Sequence, residues 1–204
     1  MKKLILSAAL TLSSFSFAST WDIDAAHAAA NFAVKHMMVS TVNGTLGDVT
    51  GQVEVDDKDI TKSKIDVSID VKGINTKQVK RDEHLRSADF FDVEKFPAIT
   101  FKSTKIEKGE GSKLKVTGDL KIKGVSKSVV LDGELSAEVA NPFTKAKTRG
   151  FSGSTTINRK DFGLSWNAAL ETGGVMVSED VKVTVEAEVT KKEAAAPAAA
   201  PAKK

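Results

Sequence analysis

The densest group of titratable side chains lies in residues 76–91, TKQVKRDEHLRSADFF. Asp82, His84 and Ser87 are the residue types of a hydrolytic set: an orienting acid, a base and a nucleophile. No G-x-S-x-G turn surrounds Ser87, and opposite charges follow one another within a few residues. That pattern fits a self-neutralising ion cluster, in which Arg81, Asp82 and His84 orient a short helix, better than it fits catalysis. Metal binding is the other option for the three histidines, His27, His36 and His84. His27 and His36 are nine residues apart, an odd spacing that sends them to opposite faces of a regular strand, and the chain has no cysteine. Gly173-Gly174 precedes a strand pattern, so no glycine loop is placed to cradle phosphate at a helix. The residues therefore predict no catalytic residue, no metal site and no cofactor. What remains is the chemistry of apolar side chains.

The elements around that segment alternate apolar and polar residues. In residues 30–38, Phe32, Val34, His36 and Met38 share one face. Asn43-Gly44 reads as a turn before a second run at 49–56. Residues 64–72 alternate without a break, with Ile65, Val67, Ile69 and Val71 on one side. Residues 76–88 then switch to helical spacing, with Thr76 as the candidate cap and Val79 and Leu85 as the apolar positions. Alternation returns at 99–104, 113–123, 129–139, 151–157 and 181–190. Turns fall at Gly124-Val125 and Asn141-Pro142, and 158–163 reads as a turn or a single helical turn. Eight runs with one apolar face describe antiparallel strands, and a two-sheet sandwich and a closed barrel both satisfy them. Runs of nine residues or more favour a barrel. An inner face of Val, Ile, Ala and Gly favours a cavity for one small ligand, although a β-branched inner face is also the ordinary core of a sandwich.

Phe90, Phe91, Phe96, Phe101, Phe151, Phe162 and Trp166 gather near the irregular segments, where they would line the wide ends of such a cavity. The segment 81–101 is expected to cross one end of the barrel and press its aromatics inward. The candidate ligand-lining residues are Phe32, Val34, Met38, Ile69, Leu85, Phe90, Phe91, Ile99, Phe101, Leu120, Phe151 and Trp166. Arg81, Asp82 and His84 are the candidates that orient the cap.

The first eighteen residues combine Lys2 and Lys3, a short apolar run and a Ser16-Phe17-Ala18 cleavage pattern. They read as a secretory signal peptide cut after Ala18, too short to span a membrane. Residues 191–204, KKEAAAPAAAPAKK, lack apolar periodicity and read as a disordered tail. One domain, 19–190, lies between. The formal charge of +3 is carried by the two ends: two lysines in the leader, and four lysines against Glu193 in the tail. The folded body is left slightly acidic, which disfavours nucleic-acid binding.

Several motifs resemble the YceI-like family of bacterial exported proteins. They are Asp24-x-x-His27 ahead of NFAVKH, the run from Arg81-Asp82-x-His84-Leu85 through Phe90-Phe91-Asp92, Phe96-Pro97-x-Ile99-x-Phe101, Gly118-Asp119-Leu120-x-Ile122-x-Gly124-Val125, and Asn158-Arg159-x-Asp161-Phe162-Gly163-Leu164. Ala28 departs from the usual Ser, Phe96 from the common Tyr, and Lys121 and Ser126 from the common Thr. The resemblance implies an all-β, eight-stranded antiparallel lipocalin-like barrel with one short capping helix, in the periplasm or secreted. It also implies a homodimer and an isoprenoid ligand, a polyisoprenoid or isoprenoid quinone, inside the barrel. An enzyme acting on such lipids, with His84 and Asp82 as the acid–base pair, is the alternative.

Overall fold

A computed structural model describes residues 18–171 and 173–192. Residues 1–17 of the leader and the tail beyond Lys192 lie outside the described residues. The alternating runs become ten strands: β1 (Ala18–His36), β2 (Ser40–Thr45), β3 (Val49–Asp56), β4 (Lys64–Asp70), β5 (Ala98–Lys108), β6 (Lys113–Ile122), β7 (Val125–Leu135), β8 (Val139–Ala140), β9 (Lys147–Asn158) and β10 (Val177–Lys191). The helix α1 (Val79–Arg86) sits between β4 and β5.

Eight strands close on themselves in the order β1-β3-β4-β5-β6-β7-β9-β10, and β10 pairs again with β1. Every ladder is antiparallel, and the closure of β10 on β1 settles the choice between sandwich and barrel. β2 folds back on the end of β1, and β8 adds two residues beside β9. Trp21, Val55 and Val189 fill one end of the barrel, the floor. The Trp21 ring lies beneath Arg149 and Lys191, whose cationic groups are 5.4 and 5.5 Å from its centroid. The opposite end, the mouth, is crossed by residues 71–97.

The start of the barrel differs from the sequence expectation. β1 begins at Ala18 and carries the buried Trp21, well before the alternation at Phe32 becomes clear. The reason is an irregularity. Asp24 opposes Glu188, but the next paired residue, Ala28, opposes Ala187. Three residues, 25–27, therefore bulge out of the ladder, and the bulge hides the period. His27 sits in it, so odd-spacing logic does not place it relative to His36.

Asn43-Gly44 is not the expected turn. Both residues pair within β2, opposite Ala33 and Phe32. The turn is Met37–Val39, where Met37 and Met38 take positive φ of 52° and 62°. Gly44 serves instead as a seat for an aromatic ring: a Cβ there would stand 2.6 Å from Phe32. At the other end of the domain, Lys191 still pairs with Trp21, and Lys192 N–H donates to Thr20 O at 2.8 Å. The last strand thus runs beyond the expected boundary at 190.

One ladder is incomplete. β7 and β9 pair only over residues 132–135 against 151–154. Toward the mouth β7 separates from β9, and the 3-10 turn after β9 (Arg159–Phe162) packs near it.

Candidate binding site

The cap is built from α1 and the segments on either side. Gln78, not Thr76, is the N-cap, its side chain accepting from Arg81 N–H. Thr76 is buried and faces the helix from below. The Asp82 carboxylate accepts from the Thr76 N–H at 2.8 Å and from its hydroxyl. Arg81 Nε donates to Thr76 Oγ1 at 2.7 Å and Nη2 to Thr76 O at 3.0 Å. Arg86 donates to Ile74 O at 3.1 Å. The helix charges therefore bind the strand-like segment 74–76 rather than neutralising one another as expected. Arg81 and Asp82 thereby satisfy backbone groups and a hydroxyl that would otherwise be left unpaired in a buried place.

His84 turns the other way. Its Nε2 lies 3.1 Å from Asp89 Oδ2, and its ring stands edge-on to Phe90 at 5.0 Å and to Trp166 at 4.9 Å. Asp82 and His84 are two apart on a helix and face different sides. Ser87 Oγ donates to the His84 carbonyl at 2.8 Å. The acid, base and nucleophile types of the sequence are not assembled into a catalytic arrangement.

Beneath the cap, the interior holds two cavities along the barrel axis. The one at the mouth has a volume of about 90 Å³ and is lined by Phe32, Val34, Leu85, Phe90 and Phe91, among others. The central one has a volume of about 130 Å³ and includes Ile69, Phe101, Leu120 and Phe151 in its wall. They share Leu46, Ile99, Ile122, Ile157 and Val183, so they form one axial column with a constriction. The walls are apolar. Among the described residues, Ser63 and Thr155 are the only ones with polar side chains lining the central cavity, and Arg159 the only one at the mouth.

Two of the twelve lining candidates lie elsewhere. Met38 is 64% exposed on the Met37–Val39 turn, because the positive φ angles end the alternation it was assigned from. Trp166 lines neither cavity; it packs into the cap against His84 and Phe90. Residues that the sequence did not single out also belong to the wall, including Leu46, Val181 and Val183.

Arg159 is the least anticipated member. It is 4% exposed, yet no carboxylate bonds to it among the described residues. Nε donates to Ser178 O at 2.8 Å, Nη1 to Trp166 O at 2.9 Å and to Leu164 O, and Nη2 to Val177 O at 3.2 Å. Desolvation pushes its pKa below the ordinary arginine value, with Glu179 opposing the shift. One side chain thus ties the turn after β9, the loop carrying Trp166 and the start of β10 into a single piece at the mouth.

On the outer wall, the β1 bulge brings Asp24, His27 and Glu188 together, with ligand-type atoms all within 4.8 Å. Asp24 Oδ2 is 2.8 Å from His27 Nδ1. Ile23 and Val189, one position away in the same ladder, face inward, so this exposed group has no access to the cavity.

Comparison with known proteins places these features in context. The YceI-like domain family matches residues 21–189. A UPF0312 protein of Staphylococcus aureus strain MSSA476 is 39% identical over 170 residues, covering 83% of this chain and 96% of that protein. The crystal structure of a Campylobacter jejuni YCEI protein aligns with a TM-score of 0.67 at 34% identity, covering 78% of this chain and 90% of that one. A polyisoprenoid binding domain from Saccharophagus degradans shares the fold at 17% identity, with a TM-score of 0.62, 84% of this chain and 98% of that one covered.

Proposed function

The chain belongs to the YceI-like family, and from the apolar interior of this member we propose that it is an exported binding protein that carries or sequesters a long apolar isoprenoid molecule. Export would leave Ser19 as the first residue of the mature chain. The observation that carries the reading is the axial column: two cavities walled by aliphatic and aromatic side chains, sharing a wall, beneath an aromatic-lined cap. An uncharged hydrocarbon chain matches such a wall because burial of apolar area supplies affinity without leaving a polar group unpaired. The Saccharophagus degradans domain, with the same fold and a polyisoprenoid ligand class, supports the choice of isoprenoid over other apolar chains.

At about 130 and 90 Å³, the two cavities fall short of the roughly 300 Å³ at which small-molecule pockets begin. A long chain is therefore accommodated by displacing side chains at the constriction and under the cap. Leu85, Phe90 and Phe91 are the groups to move, because they hang from a short helix and its following turn rather than from a barrel ladder. Leu85→Asp and Phe91→Asp place a carboxylate against that chain, and about tenfold or greater loss of affinity for an added long-chain isoprenol is expected. The measurement is equilibrium binding by the delipidated, refolded protein, with circular dichroism confirming the fold. Folded variants that bind as well as the parent would show that the ligand does not lie under the cap.

A further inference from the structure

We propose that the outer wall of the barrel carries a binding site for one divalent transition-metal ion of the zinc class, with Asp24, His27 and Glu188 as its ligands, and that the ion clips β1 to β10 where those strands close the barrel. The site is separate from the apolar column, and its test does not depend on the lipid reading.

A regular strand would send Asp24 and His27, three residues apart, to opposite faces. The ladder here is not regular. Asp24 is opposite Glu188 and the next paired residue, Ala28, is opposite Ala187, so residues 25–27 leave the ladder and return to it. Ala25 and Ala26 bring no functional group into this bulge, and the imidazole of His27 is the one it presents. The bulge turns that ring onto the face of Asp24. Asp24 Oδ2 is 2.8 Å from His27 Nδ1, and Asp24 Oδ1 accepts from the Ala26 N–H at 3.0 Å. Ligand-type atoms of Asp24, His27 and Glu188 all lie within 4.8 Å of one another.

The register also sets the charge. Asp24 and Glu188 are directly opposite in the ladder, and like charges so placed repel. Two residues toward the floor, Asp22 has a cation beside it, Lys192 at 3.7 Å. Asp24 and Glu188 have no such relief: among the described residues no lysine or arginine forms an ion pair with either, and the Glu188 side chain forms no hydrogen bond. On its other side Glu188 is opposite Gly150, which brings no side chain over it. A dication bound to both carboxylates and the imidazole removes the repulsion that the ladder builds in.

The donor set selects the ion. One imidazole nitrogen and two carboxylate oxygens form a set that zinc accepts, with water completing its four positions. Calcium takes roughly six to eight oxygen ligands, more than two carboxylates supply. No thiolate or thioether takes part, so a soft monovalent ion is not favoured. On binding, His27 Nδ1 releases the proton it shares with Asp24 to solvent and gives its lone pair to the ion.

The test titrates zinc into the untagged protein, first stripped of metal with a chelator, by calorimetry and by NMR of the histidine rings. One equivalent is expected to bind, shifting the ring signals of His27 and leaving those of His36 and His84 in place. The thermal midpoint should rise by several degrees at a zinc concentration about a hundredfold above the dissociation constant. His27→Ala and Glu188→Gln should each weaken binding by about tenfold or more, since even groups that only orient a ligand are worth that much. His36→Ala should bind as the parent does, and circular dichroism checks that each variant is folded. The NMR arm reads the parent protein alone, so it decides the matter even if a variant fails to fold. No bound equivalent, or shifts at His36 or His84 in place of His27, would overturn the site. An affinity unchanged in folded Glu188→Gln would take β10 out of it and overturn the clip. Calcium bound as tightly as zinc, and still bound by His27→Ala, would reduce the group to two carboxylates that attract any cation, which overturns it as well.

Discussion

Arg159 and Asp82 show how single residues serve the mouth of the barrel. Both are buried charged side chains, and both are satisfied mainly by backbone groups or a hydroxyl rather than by an opposite charge. Sequence pattern signals a charged helix but not its partners, because the partners are carbonyls and N–H groups with no letter of their own. This is why a self-neutralising cluster was the natural reading of residues 81–86, and why Arg159 stood out only as part of a motif. On the outer wall the chemistry is simpler. The hydrogen bond that His27 donates to Asp24, then the charge of Asp24, then that of Glu188, raise the pKa of His27; accepting that bond lowers the pKa of Asp24. A raised histidine pKa contributes stability that is complete below its unfolded value near 6.5 and lost as pH rises through the folded value. A lowered aspartate pKa contributes stability above its unfolded value near 3.8 that is lost on acidification. The pair therefore works between those two limits, and modestly, because both groups are exposed. NMR titration should give His27 a midpoint above 6.5, falling toward that value in Asp24→Asn. An identical midpoint in the two proteins would mean that the bulge does not hold the pair together in solution.

At the scale of elements, strands with steady alternation were readable from the sequence: β3, β4, β6 and β10 occupy the runs that predicted them, with boundaries off by a few residues. Physical irregularity hid the start of β1 and the strand β2. The three-residue bulge at 25–27 concealed the first half of β1, and Gly44 imitated a turn while making room for the Phe32 ring. The strand lining was legible because its residues follow a period of two, whereas Met38 was misplaced by two left-handed residues that period cannot reveal. β10 shows the same limit at its end. Composition drew the tail from 191, but Lys191 pairs with Trp21 and covers its ring, and Lys192 bonds to Thr20. Deleting residues 193–204 should leave the thermal midpoint within about two degrees of the parent. Deleting 191–204 should lower it by several degrees more, as roughly 1 kcal/mol of pairing and ring contact is lost. Calorimetry of the two truncations decides it: equal midpoints would show that β10 ends at 190 for all energetic purposes.

For the whole molecule, one asymmetry relates the fold to the proposed function. The floor is packed by Trp21, Val55 and Val189 and sealed by long-strand pairing between β1 and β10. The mouth is held by a short helix, a turn pinned by one arginine, and a ladder that stops early. The mouth is thus closed by packed side chains, among them Phe90, Val93, Phe162 and Leu164, rather than by a continuous ladder. Eight long one-sided strands favour a barrel while still satisfying a sandwich, and they do not reveal the column of space, because an inner face of Val and Ile serves a dry core equally well. The most direct measurement is organic extraction of the protein purified from the envelope of its native host, followed by mass spectrometry. The account predicts an unmodified long-chain isoprenoid recovered in near-stoichiometric amount, and its loss from Phe91→Asp. Recovery of the folded protein with no apolar molecule bound, or with a short polar metabolite in its place, would contradict it.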